Sequence, residues 1–178
     1  MLLQSERLIL RPLRAQDAPD LQRIAGNDDV APMLFSVTSP WPTDKVLNWI
    51  EQSKWRKELG FRLGICFATD DTKVIGTVGI GGNPVSCAYF VDPLLWNTGI
   101  ASEAMHLLLS ECFDRFDMKE VVADHFADNP ASGCVLKRLG FEKMGDSTGE
   151  SAARLEAAPI VLYRLTQQQF KAATDEIS

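Results

Sequence analysis

The chain has 178 residues, 46% of them hydrophobic and 24% charged, and a formal net charge of −6 at pH 7. This length is typical of one domain, which we expect over residues 6–170. The acidic balance argues against a nucleic-acid partner, because such proteins need a basic face to neutralise phosphates. No segment approaches the roughly 20 apolar residues of a membrane helix, and charges interrupt the N-terminal segment, so we expect no membrane partner and a cytoplasmic location.

Four cysteines lie far apart in the sequence, at Cys66, Cys87, Cys112 and Cys134. There is no C-x-x-C pair, and only two histidines are present to assist in binding a metal. We therefore expect neither a metal site nor a disulfide framework. Reduced and mostly buried thiols are the expected state, with Cys134 buried as a small apolar residue.

The first third of the chain predicts one strand and two helices. The apolar residues of segment 8–13 predict an opening strand that ends near Pro12. Asp17 can then cap a helix that stops at Gly26-Asn27, and Thr43 can cap a second helix that continues to about Ile50.

In the middle of the chain, the spacing of the apolar residues changes from helical to alternating. From Phe61 to Ala68, larger apolar residues alternate with others, which is typical of a strand packed on one face. Turn signals at 69–72 and 81–84 separate it from strands at 73–80 and 85–91, so an antiparallel meander is expected. A long apolar stripe from Ala101 to Phe116 then predicts a helix that lies on the sheet.

The last third predicts three strands and a short helix. The first strand covers 120–127, and Asn129-Pro130 then opens the helix with a good cap and with proline at the first helical position. Leu139-Gly140 closes that helix. The late strands, 141–144 and 159–165, are joined by residues 145–158, which are rich in small and polar residues and are expected to be mobile.

The segment from Trp96 to Ser102 leaves a strand and enters a helix through small residues. A helix start presents unpaired N–H groups and the positive end of the helix dipole, so the amides of residues 97–102 can cradle a pyrophosphate. From these residues alone, an ordinary glycine-containing turn is an equal alternative. A P-loop is excluded because no G-K-[S/T] follows, and Gly79–Gly82 precedes a strand, which excludes a dinucleotide fingerprint.

This turn, Trp96-Asn97-Thr98-Gly99-Ile100-Ala101 followed by Ser102-Glu103-Ala104, resembles the acetyl-CoA pyrophosphate loop of the GNAT superfamily, R/Q-x-x-G-x-G/A. Its form is similar to that of the RimJ/RimL-like branch, which acetylates the N-termini of ribosomal proteins. Other blocks resemble the branch in the expected order: Glu6–Leu13, Val74–Ile80, Asn129–Ser132 and Leu136–Phe141. The resemblance spans roughly residues 6–167. Asn97 departs from the usual glycine, which predicts an unusual backbone angle there.

The resemblance implies the GNAT fold, an α/β (α+β) fold with a mixed, mostly antiparallel central sheet of about seven strands flanked by helices. It implies an acetyl-CoA-dependent N-acetyltransferase that acetylates a primary amine, most simply a protein N-terminal α-amine, by direct transfer in a ternary complex. A small-molecule amine (amino acid, polyamine or antibiotic) is the alternative acceptor. A non-catalytic acyl-CoA-binding module is a second alternative, and a monomer and a homodimer are both open.

The resemblance also implies the roles of individual residues. The strand before the loop, from Tyr89 to Val91, would bind pantetheine and hold the thioester carbonyl with a backbone N–H. Asn129 would orient pantetheine and Ser132 would donate to the CoA sulfur, so both are predicted catalytic residues; outside this block, Ser132 would be read as a serine that satisfies local backbone. The predicted cofactor-binding residues are Phe90, Val91, Trp96, Asn97, Thr98, Gly99, Ile100, Ala101, Ser102, Asn129 and Ser132.

The base that removes the amine proton stays open among four side chains and water. Asp124 and His125 are neighbours on a predicted strand, so they point to opposite faces and at most one can reach the site. Glu150 and Glu156 lie in the connector, a region where members of the branch can place a carboxylate; for each of them a solvated loop charge is the simpler interpretation.

Two further groups have open interpretations. Glu103 lies in the first turn of the long helix, where it either orients the loop or only complements the helix dipole. Met33, Phe35, Trp41 and Trp49 either form an aromatic rim around the acceptor or belong to the core.

Overall fold

The structure, a computed structural model, describes residues 1–175. One eight-stranded sheet has the order β1-β2-β3-β4-β5-β6-β8-β7. The strands are β1 (Leu3–Gln4), β2 (Leu8–Pro12), β3 (Phe61–Phe67), β4 (Gly76–Gly81), β5 (Ser86–Val91), β6 (Glu120–Phe126), β7 (Glu142–Gly149) and β8 (Ala158–Thr166). The helices are α1 (Ala18–Ala25), α2 (Thr43–Gln52), α3 (Ile100–Arg115), α4 (Pro130–Arg138) and α5 (Gln167–Asp175).

The sheet is mixed and mostly antiparallel, as the sequence predicts. Strands β3 to β5 form the expected antiparallel meander, because short turns join them, and β2 pairs antiparallel with β3 after α1 and α2. β5 and β6 form the parallel pair, since α3 carries the chain between them. The two-residue β1 brings the count to eight instead of about seven, and α5 was not predicted.

Helices cover both faces of the sheet. Alternate residues of β3 show the division, because Phe61, Leu63 and Ile65 lie in the core cluster that contains α3. The side chain of Cys66 points to the opposite face of β3 and lies in a second cluster with the apolar stripes of α1 and α2. Each fully buried large apolar side chain stabilises the fold by about 1.5–3 kcal/mol, which explains why these three helices need apolar stripes.

Two predicted helix caps are wrong. Asp17 precedes α1, but its carboxylate accepts two hydrogen bonds of 2.8 Å from the Arg11 guanidinium and one of 2.7 Å from the N–H of Arg14. Thr43 is the first residue of α2, which follows Pro42 and has no side-chain cap. In the first case a buried cation attracts the carboxylate more strongly than the helix end does.

The predicted start of the connector between the late strands is also wrong. β7 continues to Gly149, so the first part of segment 145–158 is strand. In the remainder, Ser151 Oγ donates to Leu34 O at 2.6 Å. Arg154 binds Asp128 at 2.8 Å, and its guanidinium lies 4.3 Å from the ring centre of Phe126. The segment therefore packs over the carboxyl end of β6.

Candidate active site

A cleft opens in the sheet between β5 and β6. Only Ser86 and Val122 pair in register, beside a hydrogen bond of 2.9 Å from Val122 N–H to Val85 O. No further pair joins these two strands toward their carboxyl ends. Because the strands are parallel, both carboxyl ends lie at one edge, where β5 leads to α3 and β6 leads to α4.

The backbone of β5 offers hydrogen-bonding groups to this cleft. Asp92 N–H donates to Ile75 O at 2.9 Å, so the backbone groups of Asp92 and, by alternation, of Phe90 face β4. The groups of Tyr89 and Val91 face the opposite way, toward β6. The register thus turns the backbone groups of Tyr89 and Val91 toward the cleft, whereas those of Phe90, a predicted cofactor-binding residue, face β4. The Phe90 side chain lies in the α1 and α2 cluster.

The loop before α3 has the geometry of an anion cradle. Asn97 and Gly99 have φ angles of 63° and 81°, which confirms the unusual backbone predicted at Asn97. The first bond of α3 joins Glu103 N–H to Gly99 O at 3.0 Å, so the preceding amides of residues 100–102 have no carbonyl within the helix. Left-handed residues next to a helix start turn N–H groups toward one point, which suits a pyrophosphate.

Side chains of the loop and of its surroundings brace this cradle. Asp92 accepts from Leu94 N–H at 3.1 Å and binds Arg23 at 2.6 Å. Thr98 Oγ1 donates to Leu95 O at 2.6 Å, and the Trp96 indole N–H donates to Val91 O at 3.0 Å. The predicted residues Trp96 and Thr98 therefore shape the loop through these bonds.

Glu103 connects the loop to the segment before β2. Its carboxylate accepts a hydrogen bond from Arg7 Nε at 2.8 Å and another from Ser5 Oγ at 2.5 Å. Arg7 Nη1 also donates to Thr98 O at 3.4 Å. These contacts fit the interpretation that Glu103 orients the loop. Sequence reasoning gave Arg7 no role, although the residue lies in the block that carries the resemblance.

The start of α4 brings Ser132 to the cleft. Asn129 Oδ1 accepts from Ser132 N–H at 3.3 Å, which confirms the predicted cap. Ser132 Oγ lies 2.7 Å from the hydroxyl of Tyr89, which also donates to Ser132 O at 3.0 Å. Burial raises the pKa of Tyr89, so this phenol is protonated at neutral pH. Sequence reasoning placed Tyr89 in the strand that would bind pantetheine but gave its hydroxyl no role.

Gly133 allows α4 to approach β6. A Cβ atom at this position would lie 2.7 Å from Nε2 of His125, which itself lies 3.4 Å from the Tyr163 hydroxyl. Nδ1 of His125 is 2.8 Å from Phe126 O. His125 is therefore buried beneath α4, and a glycine inside a predicted helix was the signal for this close contact.

The four candidate bases differ in their burial and in the face of the sheet on which they lie. His125 faces α4, so its neighbour Asp124 faces the side of α1 and α2. Asp124 is half-buried, and burial raises the pKa of its carboxyl. Glu150 and Glu156 are both exposed. Among these side chains, Asp124 alone combines partial burial with a position on the face opposite α4.

The aromatic residues near the N-terminal helices divide between the two interpretations. Trp41 is 4% exposed and belongs to the core. Trp49 is half-buried, with its ring centre 5.4 Å from that of Trp41 and 6.3 Å from that of Phe90. Phe35 is 48% exposed and stacks at 5.4 Å on Phe126, at the end of β6.

Three cysteines are buried, and burial raises their pKa to about 11 for Cys66 and about 12 for Cys87 and Cys112. Cys134 is exposed, so the prediction that it is buried is wrong. The reason is that Gly133 takes the inward-facing position of α4. Within residues 1–175 no three His, Cys, Asp or Glu side chains are grouped to hold a metal, and no helix of that part is long and apolar enough to span a membrane.

The split sheet with a helix-start cradle at its edge suits a ligand that carries a phosphate group. The sequence matches the family described as Acetyltransferase (GNAT) domain over residues 7–142, and the chain belongs to that family. It is 28% identical over 151 residues to the Bacillus subtilis (strain 168) protein named "Uncharacterized N-acetyltransferase YoaA", covering 81% of this chain and 84% of that one.

Solved structures share the fold at low identity. Mycobacterium smegmatis RimJ in complex with CoA-disulfide superposes with a TM-score of 0.77 at 20% identity, covering 99% of this chain and 92% of that one. The ribosomal-protein-S5-alanine acetyltransferase of Vibrio fischeri gives a TM-score of 0.76 at 18% identity, covering 96% and 98%.

Proposed function

We propose that the protein transfers the acetyl group of acetyl-CoA directly to a primary amine, and that the acceptor is the α-amine of a protein N-terminus. The observation that carries the proposal is the meeting of three groups at one edge of the cleft: the amides before α3, the Asn129 cap and Ser132. Family membership supports the acetyl transfer, and the resemblance of the sequence blocks to the RimJ/RimL-like branch supports the acceptor.

Each group has one task in this proposal. The amides at residues 97–102 bind the pyrophosphate, and Arg7 with Glu103 keeps their loop in place. The cleft-facing N–H of Val91 holds the thioester carbonyl and stabilises the charge that develops on its oxygen. Asn129 fixes the start of α4, and Ser132 donates a hydrogen bond to the sulfur as the C–S bond breaks.

Asp124 is the proposed group that draws the proton from the amine. An attacking amine must be neutral, and a carboxylate of raised pKa is a better base than an exposed one. Asp124 lies on the face opposite α4, so the amine approaches the thioester from the side of α1 and α2. Asp124→Asn should then remove the acid limb of the pH profile of kcat/KM and lower its plateau.

The state of the cysteines supports direct transfer without an acetyl-enzyme. Thiols with a pKa near 11 or 12 are not nucleophiles at neutral pH, which excludes Cys66, Cys87 and Cys112. Only Cys134 is exposed, and Cys134→Ala should keep the wild-type rate. An acetylated Cys134 peptide, trapped without acceptor, would contradict direct transfer.

The test measures thiol release from acetyl-CoA with two panels of acceptor. One panel holds peptides with free N-termini, beside the same peptides with blocked N-termini. The other holds amino acids, polyamines and aminoglycosides. Turnover only with peptides that have free N-termini supports the proposal. Turnover only with the small amines would show that the acceptor is a small molecule and not a protein N-terminus. Binding of CoA without turnover in either panel indicates a non-catalytic acyl-CoA-binding module.

A further inference from the structure

Tyr89 contacts Ser132 across the cleft, although the two residues are 43 positions apart in the sequence. Its hydroxyl lies 2.7 Å from Ser132 Oγ and 3.0 Å from Ser132 O. The ring packs against the core that contains α3, which leaves little freedom to the phenol. The side chain of Ser132 therefore has a fixed partner on the opposite strand of the cleft.

The hydroxyl protons of Tyr89 and Ser132 can be arranged in two ways. Each hydroxyl has one proton and two lone pairs. In a first arrangement Tyr89 donates to Ser132 O and Ser132 donates to Tyr89, which uses the serine proton. In a second arrangement Tyr89 donates to Ser132 Oγ, and the serine proton is free to point into the cleft. The two differ only by rotation of two hydroxyl hydrogens, since no heavy atom moves.

We propose that Tyr89 is a positioning residue that holds Ser132 Oγ at the cleft and, by donating to it, directs the serine proton toward the sulfur of CoA. This inference rests on the proposed acetyl transfer. When the amine nitrogen bonds to the acetyl carbon, the C–S bond breaks and its electron pair goes to sulfur. Ser132 donates a hydrogen bond to that thiolate while it accepts one from Tyr89, and hydrogen bonds linked in this way strengthen each other.

Tyr89 keeps its own proton throughout. Burial raises the pKa of the phenol, so a tyrosinate in this position is disfavoured. From the neutral amine onward, the nitrogen loses one proton and the sulfur finally takes one, so the transfer itself neither consumes nor releases a proton. Without Tyr89, a serine in the first turn of a helix can turn toward a nearby backbone carbonyl instead, and its donor would leave the cleft.

The decisive measurement needs no acceptor. The pKa of the thiol of bound CoA is followed by thiolate absorbance during a pH titration of the complex. Loss of a hydrogen bond to a charged group disfavours the charged form, so Tyr89→Phe and Ser132→Ala should each reduce the ionisation constant of the thiol by about tenfold or more. The double variant should show no more than the larger single effect, because both changes remove one chain of hydrogen bonds.

The sequence contains one matched control. Tyr163 is the only other tyrosine, is buried, and has its hydroxyl 3.4 Å from His125 Nε2, with no hydrogen bond to Ser132 within residues 1–175. Tyr163→Phe should leave the thiol pKa unchanged. A wild-type thiol pKa in Tyr89→Phe, beside a shifted one in Ser132→Ala, would overturn the proposal.

A second measurement covers the case in which Tyr89→Phe does not fold. In a Tyr163→Phe background, tyrosine labelled with 13C at Cζ gives a single resonance from Tyr89. Its chemical shift should follow the titration of the bound thiol, and should stop doing so when Ser132→Ala is added. A chemical shift that does not change during the thiol titration, with or without Ser132→Ala, contradicts the role of Tyr89.

Kinetics then separate this inference from the proposed function. With an active acceptor, Tyr89→Phe should lower kcat about tenfold and leave the KM for acetyl-CoA unchanged, because the bond to sulfur grows only as the thiolate leaves. A wild-type protein that binds CoA but acetylates no amine contradicts the proposed function, while the thiol titration still decides on Tyr89. A protein that does not bind CoA contradicts both.

Discussion

Two arginines of the N-terminal segment make ion pairs of opposite kinds. Arg11 pairs with Asp17 through two bonds of 2.8 Å, and the side chains are 1% and 0% exposed. Arg7 pairs with Glu103, with side chains 53% and 25% exposed. The first pair joins neighbouring elements in a core, whereas the second joins residues 96 positions apart beside the proposed cofactor loop.

The exposure of the two pairs determines what each can contribute. A buried pair has lost its water, so each ion depends on the other, and removal of one leaves an uncompensated charge. An exposed pair keeps most of its hydration and contributes little to the free energy of unfolding. Arg7 and Glu103 are therefore expected to affect cofactor binding, and Arg11 and Asp17 to affect stability.

The largest expected effect is that of Asp17→Asn. The change keeps the shape of the side chain but leaves the Arg11 guanidinium buried without a counter-charge, so the free energy of unfolding should fall by about 3–5 kcal/mol. Chemical denaturation measures it. As a control, Arg11→Met combined with Asp17→Leu should regain much of the loss. A loss below about 1 kcal/mol for Asp17→Asn would show that this pair behaves like an exposed one.

Gly99→Glu tests the other side of the comparison. A carboxylate at the helix start competes with the pyrophosphate for the same amides, so CoA affinity should fall at least about 100-fold, equivalent to about 2.7 kcal/mol. A side chain at φ 81° also costs roughly 1–2 kcal/mol of stability, which the fold should survive. Calorimetry on the folded variant checks both. Unchanged CoA affinity would reject the cradle.

Glu103→Gln and Glu111→Gln form a matched pair on α3. Glu111 binds Arg115, with side chains 27% and 52% exposed, nearly the values of Glu103 and Arg7. Each change should cost about 1 kcal/mol of stability or less. Only Glu103→Gln should raise the KM for acetyl-CoA, by up to about tenfold, with kcat unchanged, because only that pair reaches the loop. Equal KM values for the two variants would make the Arg7 contact merely structural.

The smallest expected effect concerns Asp124, a half-buried carboxylate that no lysine or arginine of residues 1–175 pairs with. Burial raises the pKa of this group in the folded state above its unfolded value of about 3.9. Wild-type stability should therefore fall as the pH rises from the unfolded to the folded pKa, and then level off.

Asp124→Asn removes that decline. The variant should match the wild type near pH 4 and be slightly more stable at pH 7, as measured by thermal melting at both values. A variant that is less stable at pH 7 would show that an attractive partner holds the carboxylate.

Local sequence signals predicted most of the elements. The alternation of β3 and the stripe of α3 gave elements at the predicted places, because burial on one face needs apolar residues at a fixed period. The Asn129 cap was also predictable, since a helix start depends on residues within four positions. The left-handed Asn97 was predicted from the resemblance, in which this position is usually glycine. The resemblance extended these signals to the GNAT fold.

Only the tertiary structure decided which distant side chains meet. Asp17 binds Arg11 instead of capping α1, Ser132 meets Tyr89, and Glu103 meets Arg7. Periodicity predicts the face of a helix or strand on which a residue lies. It does not predict where along the sheet that element packs, or which residue of another element the side chain contacts. Those depend on packing, such as the close approach of α4 over Gly133, which no local pattern encodes.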